Sequence, residues 1–268
     1  MLKFLRQSPS SEVPGFQTIL ITGASQGIGA ELALLYAKKN VNLILVARNL
    51  LKLEQIKERC LQRGAQVITK SIDIANARQL SEFINDVDNQ MPIDLVIANA
   101  GVANTLRPDW QQEEKLESDY VMQVNVLGTW NTLDPVMKKM INRKRGQIAL
   151  MSSLAGLRGL PHSPTYSASK AALYSYGQSL RSWLKRYNIQ VSIICPGYVQ
   201  SSMSNQLEGP KPFLMTSKKA AQIIKKGLSK NKPCIAFPKS LYYVTKLSNY
   251  VPVFFVDFIL NRYESYRK

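Results

Sequence analysis

Thr18-Ile-Leu-Ile-Thr22 is a short apolar run that passes directly into Gly23-Ala-Ser-Gln-Gly-Ile-Gly29. The run predicts the first strand of a sheet, and residues 29–39 predict the helix that follows. The three glycines permit a tight turn whose backbone can approach a ligand, and the positive N-terminal end of the helix favours an anion. The strand, turn and helix together predict a bed for the pyrophosphate of a dinucleotide. A glycine-containing turn without a ligand is the alternative.

Further apolar runs alternate with longer helical patterns along the chain. The predicted strands after the first cover residues 43–46, 67–69, 95–98, 147–151, 191–195 and 235–237. Near-continuous apolar strands flanked by helices are typical of a parallel sheet covered on both faces. The predicted fold is therefore α/β: a doubly wound, Rossmann-type parallel sheet of about seven strands in three α/β/α layers, with ligands at the carboxyl ends of the strands.

A length of 268 residues favours a single nucleotide-binding domain over residues 1–268. Two segments stand outside the alternating pattern. Residues 200–216 are polar and contain proline, and residues 238–268 form a basic, aromatic C-terminal extension. The extension suits an interfacial helix on an anionic membrane. An element that packs on its own sheet or on a partner subunit is the alternative.

The chain carries 35 Lys and Arg against 18 Asp and Glu, for a net charge of +17. Such a balance is compatible with nucleic acid, with an anionic membrane or with solubility alone. No nucleic-acid-binding motif accompanies the charge, so no nucleic-acid partner is expected. The longest apolar stretch, residues 251–260, is about half of the ~20 residues that span a bilayer.

The cysteine and histidine content argues against disulfides and metal sites. Cys60, Cys195 and Cys234 are odd in number and lack CxxC spacing, which favours a reducing compartment. His162 is the only histidine and cannot build a metal centre, so it is interpreted as a surface or pocket-rim residue. The N-terminus has no apolar region of signal-peptide length. The predicted location is cytoplasmic, with peripheral membrane contact through the extension as an added option.

Tyr166 and Lys170 lie four residues apart in Tyr166-Ser-Ala-Ser-Lys170. Ser163 or Thr165 could cap the helix that carries them. Residues i and i+4 share one helix face, so the ammonium can lie close to the phenol. A nearby positive charge is expected to lower the pKa of the tyrosine. A tunable acid beside a nucleotide bed suggests hydride transfer.

Arg48 stands at the end of the second predicted strand, where a carboxylate would bind the ribose hydroxyls of NAD. A guanidinium instead pairs well with a 2′-phosphate. The sequence therefore favours NADP(H) over NAD(H), with a solvated loop arginine as the alternative.

In this order the motifs resemble those of the short-chain dehydrogenase/reductase family, from residue 18 to about residue 203. The resemblance implies cofactor binding by the TGxxxGIG turn, by an acidic residue that contacts adenine, by an NAG motif, and by a PG turn followed by a hydroxyl residue for the carboxamide of nicotinamide. The cofactor residues that it implies are Gly23, Ser25, Gln26, Gly27, Ile28, Gly29, Arg48, Asp73, Asn99, Ala100, Gly101, Tyr166, Lys170, Pro196, Gly197, Val199 and Ser201.

The resemblance also implies a catalytic set of Asn125, Ser153, Tyr166 and Lys170. Tyr166 is expected to exchange the proton, Ser153 to bind the carbonyl oxygen, and Asn125 to hold a water next to Lys170. Ser153 is preferred over Ser152 because it stands thirteen residues before the tyrosine. Taken singly, each could be an ordinary structural residue. A non-catalytic dinucleotide sensor of the same fold is the competing function.

The implied substrate is a small-molecule carbonyl or alcohol. Residues 200–216 are expected to act as a lid, and an apolar wall suits a lipophilic or acyl-chain carbonyl. The predicted wall residues are Leu154, Leu157, Leu160, Tyr198, Leu207, Phe213, Leu214 and Met215. Family members usually pair through the helices that carry Asn125 and Tyr166, so a homodimer or homotetramer is expected.

Overall fold

A computed structural model of the chain describes residues 16–106, 111–205, 211–256 and 258. Within these residues, seven strands form one sheet in the order β3-β2-β1-β4-β5-β6-β7, with every neighbouring pair parallel. The strands are β1 (Thr18–Thr22), β2 (Asn42–Ala47), β3 (Gln66–Ser71), β4 (Leu95–Ala98), β5 (Gly146–Met151), β6 (Ile189–Pro196) and β7 (Cys234–Phe237). The doubly wound parallel sheet predicted from the apolar runs is confirmed.

Helices connect the strands on both faces of this sheet. They are α1 (Gly27–Tyr36), α2 (Leu50–Leu61), α3 (Ala77–Gln90), α4 (Lys115–Met122), α5 (Gly128–Arg143), α6 (Pro164–Leu184), α7 (Ser202–Asn205), α8 (Ser217–Leu228) and α9 (Lys239–Ser248). A π-helical segment, Gln123–Leu127, joins α4 to α5 without a break. The first helix begins two residues before the predicted start and ends at Tyr36, because Ala37 is extended and leads the chain back towards β2.

The two hydrophobic cores lie on opposite faces of the sheet. Side chains alternate along a strand, so Ile19 and Ile21 of β1 pack with α1 and α8, whereas Leu20 packs with α3, α5 and α6. Apolar burial on both faces explains why the strands read as continuous hydrophobic runs. The strand order reverses between β1 and β4, and the carboxyl ends of these strands border a crevice.

The start of α6 differs from the prediction that Ser163 or Thr165 would cap it. Ser163 occupies the N-cap position, but its side chain makes no capping hydrogen bond. The carboxylate of Glu113 instead accepts hydrogen bonds from the backbone N–H of Thr165, at 3.2 Å, and from its hydroxyl. A carboxylate satisfies the open N–H group and complements the positive end of the helix dipole, so this long-range contact replaces the local cap.

Candidate active site

The turn after β1 has the backbone geometry that its glycines allow. Gly23 and Gly27 have φ angles of 67° and 59°, in the left-handed region that disfavours side chains. A Cβ atom on Gly29 would lie 2.3 Å from the carbonyl oxygen of Gly23 and 2.6 Å from Nδ2 of Asn99. The turn therefore closes on itself so tightly that only glycine fits at this position.

The N-terminus of α1 opens into the crevice beside this turn. Its N-cap residue, Gln26, makes no side-chain capping bond, and the first turn carries no acidic residue. Ser25, Gln26, Gly27 and Ile28 line the cavity here. N–H groups without side-chain caps at the positive end of a helix bind phosphate, so the geometry of this chain fits the pyrophosphate of a dinucleotide.

Asn99 joins the end of β4 to the glycine turn. Its Nδ2 donates hydrogen bonds to the carbonyl oxygens of Thr22, at 2.9 Å, and Gly23, at 3.2 Å. The hydroxyl of Thr22 in return accepts from the backbone N–H groups of Asn99 and Ala100. The NAG motif thus fixes the shape of the turn, and Asn99, Ala100 and Gly101 all line the cavity.

Arg48 and Asp73 lie together at the far end of the crevice. Nη1 of Arg48 is 3.8 Å from a carboxylate oxygen of Asp73 and donates to the hydroxyl of Tyr120. Asp73 also accepts from the backbone N–H of Ala75 at 2.9 Å. Both residues line the cavity and are exposed enough to reach a ligand.

Sequence reasoning missed a second cation at this end. Asn49 accepts a hydrogen bond from the backbone N–H of Lys52 and so caps α2, which places Lys52 in the first helical turn. Lys52 lines the same cavity as Arg48, and its Nζ donates to Oε1 of Gln26 at 3.3 Å. The sequence did contain a signal for this position. Asn49 directly follows Arg48 and is a residue type that caps helices, which predicts that Lys52 lies in the first turn beside Arg48.

Lys170 and Tyr166 lie on one face of α6, as their spacing predicted. Nζ of Lys170 is 5.6 Å from the ring centroid of Tyr166 and donates to the carbonyl oxygen of Met151 at 2.9 Å. Lys170 is only 3% exposed, and this burial lowers the pKa of its ammonium from 10.5 to about 8. The amine over the face of the tyrosine ring therefore loses its charge at mildly alkaline pH.

The expected lowering of the pKa of Tyr166 is not observed in the polypeptide. Burial raises the pKa of Tyr166 above 10.0, the hydrogen bond with Ser153 lowers it by less, and Tyr198 adds to the rise. Lys170 lies over the ring face and directs its hydrogen bond to the backbone, so it does not offset the desolvation. Tyr166 is thus held as a neutral phenol, the form that can donate a proton.

The two serines at the end of β5 differ in their surroundings. The hydroxyl of Ser152 is buried and donates to the carbonyl oxygen of Lys170 at 2.7 Å, which ties α6 to the strand. The hydroxyl of Ser153 accepts from the N–H of Ala155 and is hydrogen-bonded to Tyr166. Ser153 is therefore the serine whose hydroxyl lies beside the phenol.

Asn125 lies in the π-helical segment and is fully buried. Its amide side chain donates to the carbonyl oxygen of Val102 and to the hydroxyl of Ser169, and it accepts from the N–H of Val102 at 2.8 Å. A Cβ atom added to Gly101 would lie 3.1 Å from Oδ1 of Asn125 and 3.3 Å from Nζ of Lys170, so these two groups are close neighbours. The chain after β4 is thereby fixed against α6.

The residues after β6 complete the crevice. The N–H of Gly197 donates to the carbonyl oxygen of Phe237, and Val199 pairs with Met215. The hydroxyl of Ser201 accepts from the N–H of Ser204, and Gln26 donates to the hydroxyl of Ser202 at 2.7 Å. The chain from Pro196 to Ser201 therefore lies against the glycine turn and lines the cavity beside it.

A cavity of about 1110 Å³ runs from Arg48 past Tyr166 to the C-terminal extension. Leu154, Leu160 and Tyr198 line it as predicted, but Leu157 packs behind the wall. Phe213 and Leu214 point to solvent and Met215 packs on the core, so the expected contribution of these three to the wall is wrong. Leu207 lies outside the described residues. Met203 and Pro212 line the cavity from this segment instead.

Helix α9 supplies the part of the wall that sequence reasoning did not assign. The residues of the extension that line the cavity are Leu241, Val244, Thr245, Leu247, Ser248, Val251 and Val256.

His162 lines the cavity as well, and it is buried. The placement of His162 at the pocket is thus right and its placement on the surface is wrong. Within the described ranges, no helix is long and apolar enough to cross a membrane.

The model of a known family, short chain dehydrogenase, matches residues 17–211 of the chain. The chain belongs to this family. An uncharacterized oxidoreductase of Myxococcus xanthus is 34% identical over 88% of this chain and 93% of its own length. A very-long-chain 3-oxoacyl-CoA reductase of Coccidioides immitis is 33% identical over 79% of this chain, which spans 63% of that protein. Members of the family are oxidoreductases that bind a nicotinamide dinucleotide.

Two solved structures of low sequence identity confirm the fold. A short-chain dehydrogenase from Sphingobium yanoikuyae in complex with NADPH superposes with a TM-score of 0.76 at 23% identity, over 82% of this chain and 87% of the other. A family member from Burkholderia phymatum in complex with NAD gives 0.78 at 20% identity, over 86% and 92%. Since one holds NADPH and the other NAD, the fold is compatible with both cofactors.

Proposed function

We propose that this chain is an NADPH-dependent oxidoreductase that interconverts a carbonyl and a secondary alcohol by hydride transfer. The observation that carries the proposal is the meeting of Ser153, Tyr166 and Lys170 in one cavity with the glycine turn. When bound, the nicotinamide would supply or accept the hydride. A sensor that only binds the dinucleotide is the alternative, and it has no need for this side-chain set.

The catalytic roles follow from the contacts of each side chain. The neutral phenol of Tyr166 donates its proton to the carbonyl oxygen as the oxygen gains charge. The hydroxyl of Ser153, beside that phenol, donates a hydrogen bond to the same oxygen and stabilises the charge. Lys170, next to Asn125 and below the ring, limits the charge that builds up on Tyr166 after the proton has left. The resemblance to the family assigns the remaining role, holding the water that replenishes the proton, to Asn125.

The cation pair at the adenosine end supports the preference for NADPH. Arg48 and Lys52 both line this end of the cavity, where a 2′-phosphate would meet two positive charges. Asp73 partly neutralises the charge of Arg48. Lys52 therefore adds a second positive charge that would contribute to binding of the phosphate. Cofactor residues Gly23 to Gly29, Asn99 to Gly101, and Pro196 to Ser201 would hold the remainder of the dinucleotide along the crevice.

The substrate end supports a lipophilic or acyl-chain carbonyl. Its wall is formed by Leu154 and Leu160 together with Leu241, Val244 and Val251 of the C-terminal extension. A long apolar wall next to a small polar group set suits a carbonyl near the end of an acyl chain. The name of the Coccidioides relative, a very-long-chain 3-oxoacyl-CoA reductase, points to the same class.

The test is the oxidation of NADPH and of NADH by the purified chain with 3-oxoacyl thioesters and ketones graded by chain length. We expect NADPH to be preferred and activity to rise with chain length. Arg48→Ala and Lys52→Ala should each reduce the NADPH preference by about tenfold or more, because a hydrogen bond to a charged group contributes about 1.5–3 kcal/mol. Equal use of NADH by the wild type would contradict the cofactor assignment. No turnover with any carbonyl would favour the sensor.

The proposal includes a homodimer or homotetramer in the cytoplasm with no nucleic-acid partner. Leu127 and Trp130 in the π segment and α5, and Trp183 in α6, are large apolar side chains exposed on the helices by which the family usually pairs. Light scattering of the wild type and of Trp130→Ser would measure the oligomeric state. A monomeric wild type would contradict the oligomer.

A further inference from the structure

The described residues of the C-terminal extension expose a set of aromatic side chains. Tyr250, Phe254 and Phe258 are 81%, 65% and 65% exposed, and Tyr243 and Phe255 are exposed as well. We refer to these five as the aromatic surface. Single exposed apolar residues are ordinary, but five exposed aromatic rings within sixteen residues are typical of an interaction surface.

The aromatic surface borders the mouth of the cavity. Val244, Leu247 and Val251 line the cavity and are at the same time 64%, 63% and 41% exposed. They alternate in sequence with the aromatic residues of α9 and the segment after it. The opening of the substrate end is therefore rimmed by apolar side chains that continue into the aromatic surface.

The sequence around this surface has an excess of positive charge. Residues 239–258, which include the five aromatic residues, contain Lys239 and Lys246 against Asp257, and residues 218–268 contain 11 Lys and Arg against 2 Asp and Glu. The whole chain has a net charge of +17. Aromatic and aliphatic side chains flanked by lysines, whose stems can lie along apolar surface, match the boundary between headgroups and acyl chains of an anionic bilayer.

We propose that the aromatic surface docks on an anionic lipid bilayer and turns the cavity mouth towards the lipid. A second copy of the chain is not the occupant that we assign here, because the exposed side chains of α5 and α6 offer a separate apolar face for it. The docking follows from the surface alone. Delivery of a lipophilic carbonyl from the bilayer to the cavity rests in addition on the proposed function.

The experiment is flotation of the full chain with vesicles of phosphatidylcholine, with and without phosphatidylserine. The wild type is expected to float with the vesicles that contain phosphatidylserine, and less so at high salt, since salt screens the lysine contribution. Phe254→Ser combined with Phe255→Ser should reduce the vesicle-bound fraction by about tenfold or more, because two aromatic rings that would be buried in the bilayer are lost. The matched control is Leu51→Ser with Leu116→Ser, which removes two exposed apolar side chains elsewhere.

Three results would overturn the docking proposal. They are a wild type that does not float with phosphatidylserine vesicles, a Phe254/Phe255 variant that floats as well as the wild type, and a control variant that loses flotation equally. Reductase activity on the graded 3-oxoacyl thioesters and ketones is measured in parallel without vesicles. Flotation without activity on any of these carbonyls would leave the docking intact and refute the proposed function, so the two failures are distinguishable.

Discussion

The two ends of the cavity differ in how the chain builds them. At the cofactor end, the glycine turn, the start of α1 and the end of β4 are short motifs held by contacts such as those of Asn99 with Thr22 and Gly23. At the substrate end, the wall comes from segments far apart in sequence, from Leu154 to Val256. One end is thus fixed by the backbone geometry of short motifs, which Asn99 ties together across the sheet, and the other by the packing of apolar side chains. Substitutions should therefore act differently on the two ends.

Among the substitutions that compare the two ends, the largest effect is expected from Gly29→Ala at the cofactor end. The added Cβ would collide with the carbonyl oxygen of Gly23 at 2.3 Å, which is backbone and cannot move away without opening the turn. We expect affinity for the dinucleotide to fall by about a hundredfold and stability to fall by roughly 1–3 kcal/mol. Calorimetric titration with NADPH and thermal unfolding measure both.

The matched control is Gly159→Ala near the substrate end. A Cβ atom there has no neighbour within 4 Å, so cofactor affinity and stability should stay close to the wild type. If both alanine variants bound NADPH normally, the tight turn would not be the basis of cofactor binding.

A smaller effect concerns Lys170, which joins the two ends. In the folded chain its pKa is lowered from 10.5 to about 8, so between these values the unfolded chain binds the proton and the folded chain does not. The free energy of unfolding should therefore rise with pH from about 8 to 10, with a slope of at most about 1.4 kcal/mol per pH unit. Below pH 8 both states are protonated and the contribution is constant.

Denaturant unfolding of the wild type and of Lys170→Met across this range isolates the contribution, because the other titrating groups are common to both. The difference in unfolding free energy between the two proteins should change with pH. Parallel curves would show that the buried amine is not held at a lowered pKa.

The smallest effect is expected from Leu241→Ala at the substrate end. This side chain lines the cavity from α9 and packs on the cluster around Cys195. Its truncation should lower kcat/KM for long-chain carbonyls by several-fold to about tenfold, because apolar contact is lost at about 0.8 kcal/mol per CH₂. Short-chain carbonyls should be little affected. Tyr243→Ala, exposed on the same helix and outside the cavity lining, is the control in an assay without vesicles. An equal loss with both variants would argue against α9 as the substrate wall.

The sequence permitted prediction of the whole sheet and of most residues that line the proposed cofactor end of the cavity. The strands are apolar runs buried on both faces, and the glycine turn, Asn99 and Tyr166 belong to short motifs that can be read directly in the sequence. The contact of Asn99 with the glycine turn, 77 positions away, is visible only in the structure. The Glu113 cap on α6 escaped prediction, because it joins residues 52 positions apart. The wall formed by α9 escaped it too, since an amphipathic helix can face a cavity, a membrane or a partner with the same pattern.

The pKa of Tyr166 shows a different limit. The i, i+4 spacing correctly placed Lys170 beside the ring, yet it could not show that the lysine would be buried and bonded to Met151. Desolvation then raises the pKa of the phenol instead of lowering it. Spacing predicts which groups meet, whereas their burial, which depends on the full fold, decides the direction of the shift.

The most direct test of the account is single-turnover reduction of a carbonyl by the NADPH-loaded protein with Tyr166→Phe, compared with Tyr176→Phe on the same helix. Removal of the proton donor should slow the chemical step in the NADPH-loaded protein by about 10²–10⁴-fold while thermal stability stays near the wild type. Tyr176→Phe should react at the normal rate. A Tyr166→Phe protein that is folded, binds NADPH and reduces the carbonyl as fast as the wild type would contradict the account.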